Sequence, residues 1–234
     1  MKAIWKHDFM AYFNSPMGYV FVFSFVTIMN LCFFLFNILG SSSDISGLFS
    51  IMLFLLILMI PFLTMRLFSE EYKLHTDQLL FTVPTDVWEI VLGKFLAACS
   101  VLLCALAFTL IWIILIGIFG VLEPGIVLGN YGAILCAAAA FISIGMLISS
   151  LTENQIIAAL GTLGLFLALF VLNTISKTSL SPGLHIVLSW FSLFSRHQSF
   201  LLGIFSLADI FYYISFAGIM LFLTSRVLEK KRWE

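Results

Sequence analysis

The hydrophobic residues of this chain form six long runs that contain no Asp, Glu, Lys or Arg. The runs are Met17–Leu39, Leu48–Met65, Ala97–Leu122, Tyr131–Leu151, Ile156–Ile175 and Ile210–Thr224. A helix needs about 20 residues, or about 17 at the short end, to cross the hydrocarbon of a bilayer. The first five runs have this length, and the sixth has it if Ala208 and Arg226 mark its ends. The pattern therefore predicts an all-α integral membrane protein with six transmembrane helices.

Composition supports this prediction and narrows the domain organisation. The chain is 62% hydrophobic and only 10% charged, whereas soluble domains carry about 25% charged residues. A membrane β-barrel would show short alternating segments instead of continuous runs. No stretch between the runs is long enough for a soluble domain of typical size. Residues 1–234 are thus predicted to form a single membrane domain, and no basic patch suited to nucleic acid is present.

The distribution of positive charge predicts the topology. If both termini are cytoplasmic, nine of the 11 Lys and Arg residues lie inside and two lie outside. The inner nine are Lys2, Lys6, Arg66, Lys73, Lys94, Arg226, Lys230, Lys231 and Arg232, and the outer two are Lys177 and Arg196. Cytoplasmic loops of membrane proteins carry an excess of Lys and Arg. We therefore expect a multi-pass protein with both termini in the cytoplasm.

Two segments outside the runs are apolar enough to lie on or in the membrane. In residues 1–16, aromatic and aliphatic residues recur at helical spacing, which predicts an amphipathic helix in the cytoplasmic interface that closes at Pro16. Residues 176–209 lie outside, yet they are too apolar for an ordinary loop and too short and polar to span. This second segment is predicted to lie on the outer surface or to enter the membrane as a re-entrant pair.

Residues 66–96 form the only long cytoplasmic loop and the most polar part of the chain. Ser69 is suited to cap a helix whose first turn holds Glu70 and Glu71, because the helix dipole favours negative charge there. This helix is predicted to run to about Phe81.

The same loop predicts a second helix. Pro84 ends the first helix, and Thr85 or Asp86 then caps a helix that has Glu89 in its first turn and leads into the third span. A short helix held across the membrane face, with mixed charged and apolar residues, is suited to dock another protein.

Catalytic and nucleotide-binding motifs are missing from the sequence. Gly93-Lys94-Phe95 lacks the upstream glycine and the hydroxyl of a phosphate-binding loop, and no HExxH or other metal-ligand spacing occurs. The four cysteines are scattered within the runs, which argues against a disulfide framework or a metal cluster. We therefore expect no cofactor or metal in this chain and no catalytic residue.

The spans also lack the ionisable groups that ion-coupled carriers usually need. Their main polar residues are Thr27, Asn30, Asn37, Thr109 and Asn173. Such residues usually make hydrogen bonds between helices. The alternative is that Asn30, Asn37, Thr109 and Asn173 line a substrate pathway.

The loop sequence resembles that of the membrane subunit of ABC-2-type transporters. The resemblance is carried by Arg66, Glu70-Glu71, Thr76, Leu79-Leu80, Pro84, Glu89 and Gly93-Lys94-Phe95. His75 stands where the family usually has a Gly before the Thr. The interfacial segment, residues 180–209 and the basic ending extend the resemblance over nearly the whole chain, and the ending is most similar to the gliding-motility-type branch of these permeases.

The resemblance implies a function and partners. The chain would be the permease subunit of an exporter in a bacterial-type plasma membrane, paired with a second copy or a related permease. Cytoplasmic ATPase subunits would bind ATP and Mg²⁺ and hydrolyse the ATP, and the helix between spans 2 and 3 would be the coupling helix. The residues expected to contact the ATPase are Glu70, Glu71, Tyr72, His75, Thr76 and Asp77. Further expected contacts are membrane lipids and an extracytoplasmic partner on residues 176–209.

Two other functions stay open at this point. A membrane enzyme acting on lipids would need clustered acids or histidines at one membrane face, and the only such cluster is Glu70, Glu71, His75 and Asp77. A non-transporting scaffold or sensor subunit could use the same permease fold.

Overall fold

The computed structural model describes residues 1–40, 46–74, 86–119, 124–176, 196–197, 200 and 206–233. In these ranges the regular elements are helices: α1 (Lys2–Asn14), α2 (Pro16–Phe33), a π-helical segment (Phe34–Ile38), α3 (Ser46–Thr64), α4 (Ser69–Leu74), α5 (Val87–Thr109), α6 (Ile111–Phe119), α7 (Pro124–Leu151), α8 (Gln155–Ser176) and α9 (Leu207–Trp233).

Among the described residues, six helical segments are long and apolar enough to cross a membrane. They are Pro16–Ile38, Ser46–Leu74, Val87–Ile118, Pro124–Leu151, Gln155–Thr174 and Leu207–Arg232. The predicted all-α fold with six spans is thereby confirmed. Most of the predicted re-entrant segment 176–209 lies outside the described residues.

The fourth span, α7, lies at the centre of the helix packing. It packs against α3, α5, α8 and α9, and 67% of its most apolar stretch is buried, compared with 17% for the fifth span. Small residues line it, including Ala137, Ala138 and Gly145. Small side chains let helix backbones approach closely. In lipid no hydrophobic force drives helices together, so their association depends on such close packing. Gly145 is the closest such approach, since a Cβ there would lie 2.2 Å from Thr64 Oγ1.

The N-terminal helix α1 is separated from the first span by one extended residue. Ser15 has φ −98° and ψ 153°, and Pro16 is the first residue of α2, where its fixed φ and missing N–H are tolerated. Helix α1 thus ends at Asn14, and Pro16 already belongs to the helix of the first span. Helix α1 packs against α5. Gly93 of α5 lies against Ile4 of α1, and a Cβ at Gly93 would lie 2.9 Å from Ile4 Cγ2.

The third span begins ten residues before its uncharged run. Helix α5 starts at Val87 and carries Glu89 and Lys94 in its first two turns. Asp86 occupies the predicted cap position, and its backbone carbonyl accepts the Glu89 amide at 2.9 Å. Its side chain makes no capping hydrogen bond. The second loop helix and the third span are thus one continuous helix.

Candidate functional site

The segment that joins spans 2 and 3 turns sharply just after the membrane-spanning part of α3. Pro61 lies within that helix, and the backbone N–H of Met65 still donates to the Pro61 carbonyl at 3.0 Å. The helix ends at Thr64, and after four residues the short helix α4 begins at Ser69. Ser69 was predicted to cap α4 from its own side chain, but its hydroxyl instead donates to the Ser149 carbonyl of α7 at 3.1 Å.

An ion pair holds the first acidic residue of α4. Glu70 accepts two hydrogen bonds from the Arg66 guanidinium, in the i, i+4 arrangement that suits a helix. A third nitrogen–oxygen contact, from Arg66 Nη1 to Ser15 Oγ at 3.0 Å, reaches the linker between α1 and α2. The planar guanidinium can serve both groups because its donors are fixed in a fork. Arg66 therefore joins α4 to the linker between α1 and α2.

A second ion pair crosses to α5. The Lys94 ammonium lies 2.5 Å from Glu71 Oε1 and 3.4 Å from Asp8 Oδ2 of α1. Lys94 is only 3% exposed, and a buried ammonium is retained when carboxylates surround it. His7 Nδ1 lies 3.0 Å from the other Asp8 oxygen at the protein surface. Three helices that are distant in sequence thus meet at one lysine.

Two tyrosines complete this cytoplasmic cluster. Tyr12 is buried, and its hydroxyl donates to the Leu63 carbonyl near the end of α3 at 2.6 Å. Burial and then the nearby Asp8 carboxylate raise the pKa of Tyr12, so the phenol keeps the proton it donates. The buried ring of Tyr72 in α4 lies 3.6 Å from the Lys231 ammonium at the end of α9, a cation–π contact.

We define the coupling cluster by the residues that make these contacts around α4. They are Asp8, Tyr12, Ser15, Arg66, Ser69, Glu70, Glu71, Tyr72, Lys94, Ser149 and Lys231. A cavity of about 120 Å³ opens beside Arg66, Glu71 and Lys94, and the apolar Ala11 and Leu67 also line it. The acidic side chains of the coupling cluster are paired with Arg66 and Lys94, an arrangement suited to holding helices in fixed relative positions.

Three of the six residues expected to contact an ATPase are among the described residues. Glu70 and Glu71 lie in the first turn of α4, as predicted, and their side chains are 30% and 23% exposed. Tyr72 is buried. His75, Thr76 and Asp77 lie outside the described residues, as does the predicted extension of the helix to Phe81.

Several members of the coupling cluster were not predicted from sequence. The spacing of Arg66 and Glu70 could have indicated their pair, because residues four apart are neighbours on a helix. The contacts of Lys94 with Asp8 and of Ser69 with Ser149 join residues separated by more than 75 positions. No local sequence pattern carries such information.

Two of the four polar residues considered for a pathway make hydrogen bonds to a neighbouring span. Asn30 accepts a hydrogen bond from Trp112 Nε1 at 2.7 Å, and Thr109 shares one with the Tyr131 hydroxyl at 2.8 Å. These two residues therefore join neighbouring spans, which was the first of the two interpretations. Asn37 and Asn173 are buried, Asn37 within the π-helical segment.

A groove of about 760 Å³ includes Asn30, one of the four residues of the pathway interpretation. It is lined by aromatic and aliphatic residues of α1, α2 and α5, together with Asn30 and Thr27. Whether cargo passes along this groove stays a prediction.

Comparison with known proteins identifies the family. The profile described as ABC-2 family transporter protein matches residues 10–229, which is nearly the whole chain, and no curated protein matches it significantly. The chain belongs to the ABC-2 family transporter proteins. It is a multi-pass membrane protein and a permease subunit of an ABC transporter, and its family implies a cytoplasmic ABC ATPase as partner. The gliding-motility branch stays a prediction.

Proposed function

We propose that the chain is the non-catalytic membrane half of an exporter and that the coupling cluster receives the motion of its ATPase partner. Two copies, or this chain and a related permease, would form the membrane unit, with both termini in the cytoplasm. The observation that supports this most directly is the position of α4. It lies between spans 2 and 3 and contacts α5, α7 and α9 through polar or ionic side chains. Arg66, which pairs with Glu70 of α4, also reaches the linker between α1 and α2.

The exposed side of α4 is the proposed contact surface. Glu70 and Glu71 stay partly exposed although each is ion-paired within the chain. Beyond them lie the exposed Lys73 and Leu74, and Leu74 is 63% exposed. An apolar residue beside charged ones is typical of a protein interface, whose centre is apolar and whose rim is polar. His75, Thr76 and Asp77, which follow directly in sequence, would extend this surface.

The internal pairs of Glu70 and Glu71 decide how the contact is tested. Reversing both acids to Lys would place like charges beside Arg66 and Lys94, so a loss of ATPase could reflect an unstable permease. The swap Arg66→Glu with Glu70→Arg keeps an ion pair at the same spacing while it inverts the charge presented at position 70.

The experiment is a pull-down of the tagged permease from its own membranes in mild detergent, with the bound ATPase activity assayed. We expect the wild type to recover an ATPase subunit. The swapped pair should lose most of this activity while its melting temperature stays near that of the wild type. A swapped permease that retains its ATPase would place the contact elsewhere. A wild-type chain that comes down alone in several detergents would favour the scaffold or lipid-enzyme interpretation.

A further inference from the structure

The start of α4 depends on a residue of the fourth span. Ser149 Oγ lies 3.2 Å from the backbone nitrogen of Phe68 and 3.2 Å from that of Ser69, so one hydroxyl oxygen accepts from two amides. The same hydroxyl lies 3.2 Å from the Met65 carbonyl, to which it donates. The first amides of a helix have no partner within the helix and need an external acceptor. Here that acceptor comes from another helix, 80 positions along the chain.

A second pair of atoms strengthens this contact. The Ser69 hydroxyl lies 3.1 Å from the Ser149 carbonyl, one of the last carbonyls of α7, and such carbonyls also lack a partner within their own helix. Both serines are fully buried. Each side chain therefore satisfies backbone groups at the end of the other's helix.

One turn before Ser149, Gly145 lets α7 approach α3 closely. Gly145 precedes Ser149 by four residues, so the two share one face of α7. Gly145 lies against Thr64, the last residue of α3. The missing side chain at Gly145 brings α7 close enough for Ser149 to reach the turn after Thr64.

We propose that Ser149 is a positioning residue that joins the start of the coupling helix to the fourth span, so that movement of α4 is passed directly into α7. This inference rests on the proposed function of α4. Spans 2 and 3 are attached to α4 by the chain itself, whereas the fourth span is attached through these hydrogen bonds. Because α7 packs along α9 and α3, a shift at Ser149 would reach the centre of the bundle.

Hydrogen exchange of the purified chain in nanodiscs tests the contact without any ATPase. In Ser149→Ala, amides in residues 65–72 should exchange about tenfold faster, because buried amides that lose their acceptor are strongly destabilised. Ser150→Ala is the matched control, since Ser150 is equally buried but its hydroxyl donates to Leu147 of its own helix. Ser149→Thr keeps the hydroxyl and should exchange like the wild type. If the amides of residues 65–72 exchange at the wild-type rate in Ser149→Ala, or equally faster in Ser150→Ala, the proposed role of the Ser149 contact is wrong.

The same measurement on the complex with its co-purified ATPase tests transmission. Adding ATP and vanadate should change exchange in residues 65–72 and in residues 140–151 of the wild type. In Ser149→Ala the change in residues 140–151 should fall to less than about a third of the wild-type change while ATPase stays bound. Equal changes in both proteins would overturn the proposal. Failure to recover any ATPase would count against the proposed function, and the exchange of the isolated chain would still decide the contact.

Discussion

Lys94 is the residue on which the cytoplasmic side of the bundle converges. Its ammonium is buried between carboxylates from α1 and α4, while its own backbone belongs to the third span. Removing one partner of a buried pair is far more costly than removing an exposed pair, because the remaining charge is left without compensation. Lys94 is therefore expected to stabilise the folded permease, independently of any role in transport.

Lys94→Met should destabilise the permease by about 3 kcal/mol, because Asp8 and Glu71 would lose the buried ammonium that pairs with both. The melting temperature in detergent should fall by roughly 5–10 °C. Lys73→Met is the control, since Lys73 is exposed, and it should change little. Adding Asp8→Asn to Lys94→Met should recover part of the loss. A Lys94→Met protein as stable as the control would show that the pairs contribute nothing.

At the scale of helices, close approaches between glycine and a facing side chain determine where the spans cross. A Cβ at Gly145 would meet Thr64 Oγ1 at 2.2 Å and Thr64 Cβ at 2.8 Å. Thr64 is itself fully buried, with its hydroxyl donating to the Ile60 carbonyl at 3.0 Å. The side chain has no room to turn away, so α3 and α7 would have to separate.

Gly145→Ala should therefore cost about 1–3 kcal/mol, the usual effect of overpacking a core. Gly164→Ala in α8 is the matched control, because no atom of the described residues lies within 4 Å of the position a Cβ would take. That substitution should be neutral or stabilising by up to about 1 kcal/mol through helix propensity. Thermal unfolding of the two variants in the same detergent distinguishes them. Equal melting temperatures would contradict a tight crossing at Gly145.

At the scale of the whole molecule, positive charges are concentrated at one end of the described spans. Lys230, Lys231 and Arg232 lie in the last turn of α9, and the coupling cluster lies where α4, α5 and the end of α9 meet. The last two turns of α9 are thus on the same side as α1. This arrangement fits the topology expected from the excess of positive charge on one side.

Both termini should therefore be cytoplasmic, and fusions can test this. A C-terminal green fluorescent protein should fluoresce in cells, and a C-terminal alkaline phosphatase should be inactive. A phosphatase fused after Gly125, in the first turn of α7, should be active and serves as the control. An active C-terminal phosphatase would invert the topology.

The six spans, the helix break beside Pro16 and the acidic first turn of α4 were predictable, because each depends on residues that are close in sequence. Hydrophobic run length determines whether a helix can cross a bilayer, and a proline restricts its neighbours locally. The start of the third span was less apparent, because Lys94 and Glu89 end the uncharged run although the helix continues through them. Charged residues near a span end are tolerated there when they find partners or reach the interface.

The sequence by itself determined the fold class, the number of spans and the position of the segment that carries the coupling cluster. The tertiary structure decided what the charged and polar residues of that segment do. Glu70 and Glu71 are paired within the chain, Ser69 bonds to Ser149 instead of capping its own helix, and Lys94 links α1 to α4. These contacts depend on distances between helices, which small residues such as Gly145 and Gly93 set through close packing. Such distances arise only when the whole bundle is assembled.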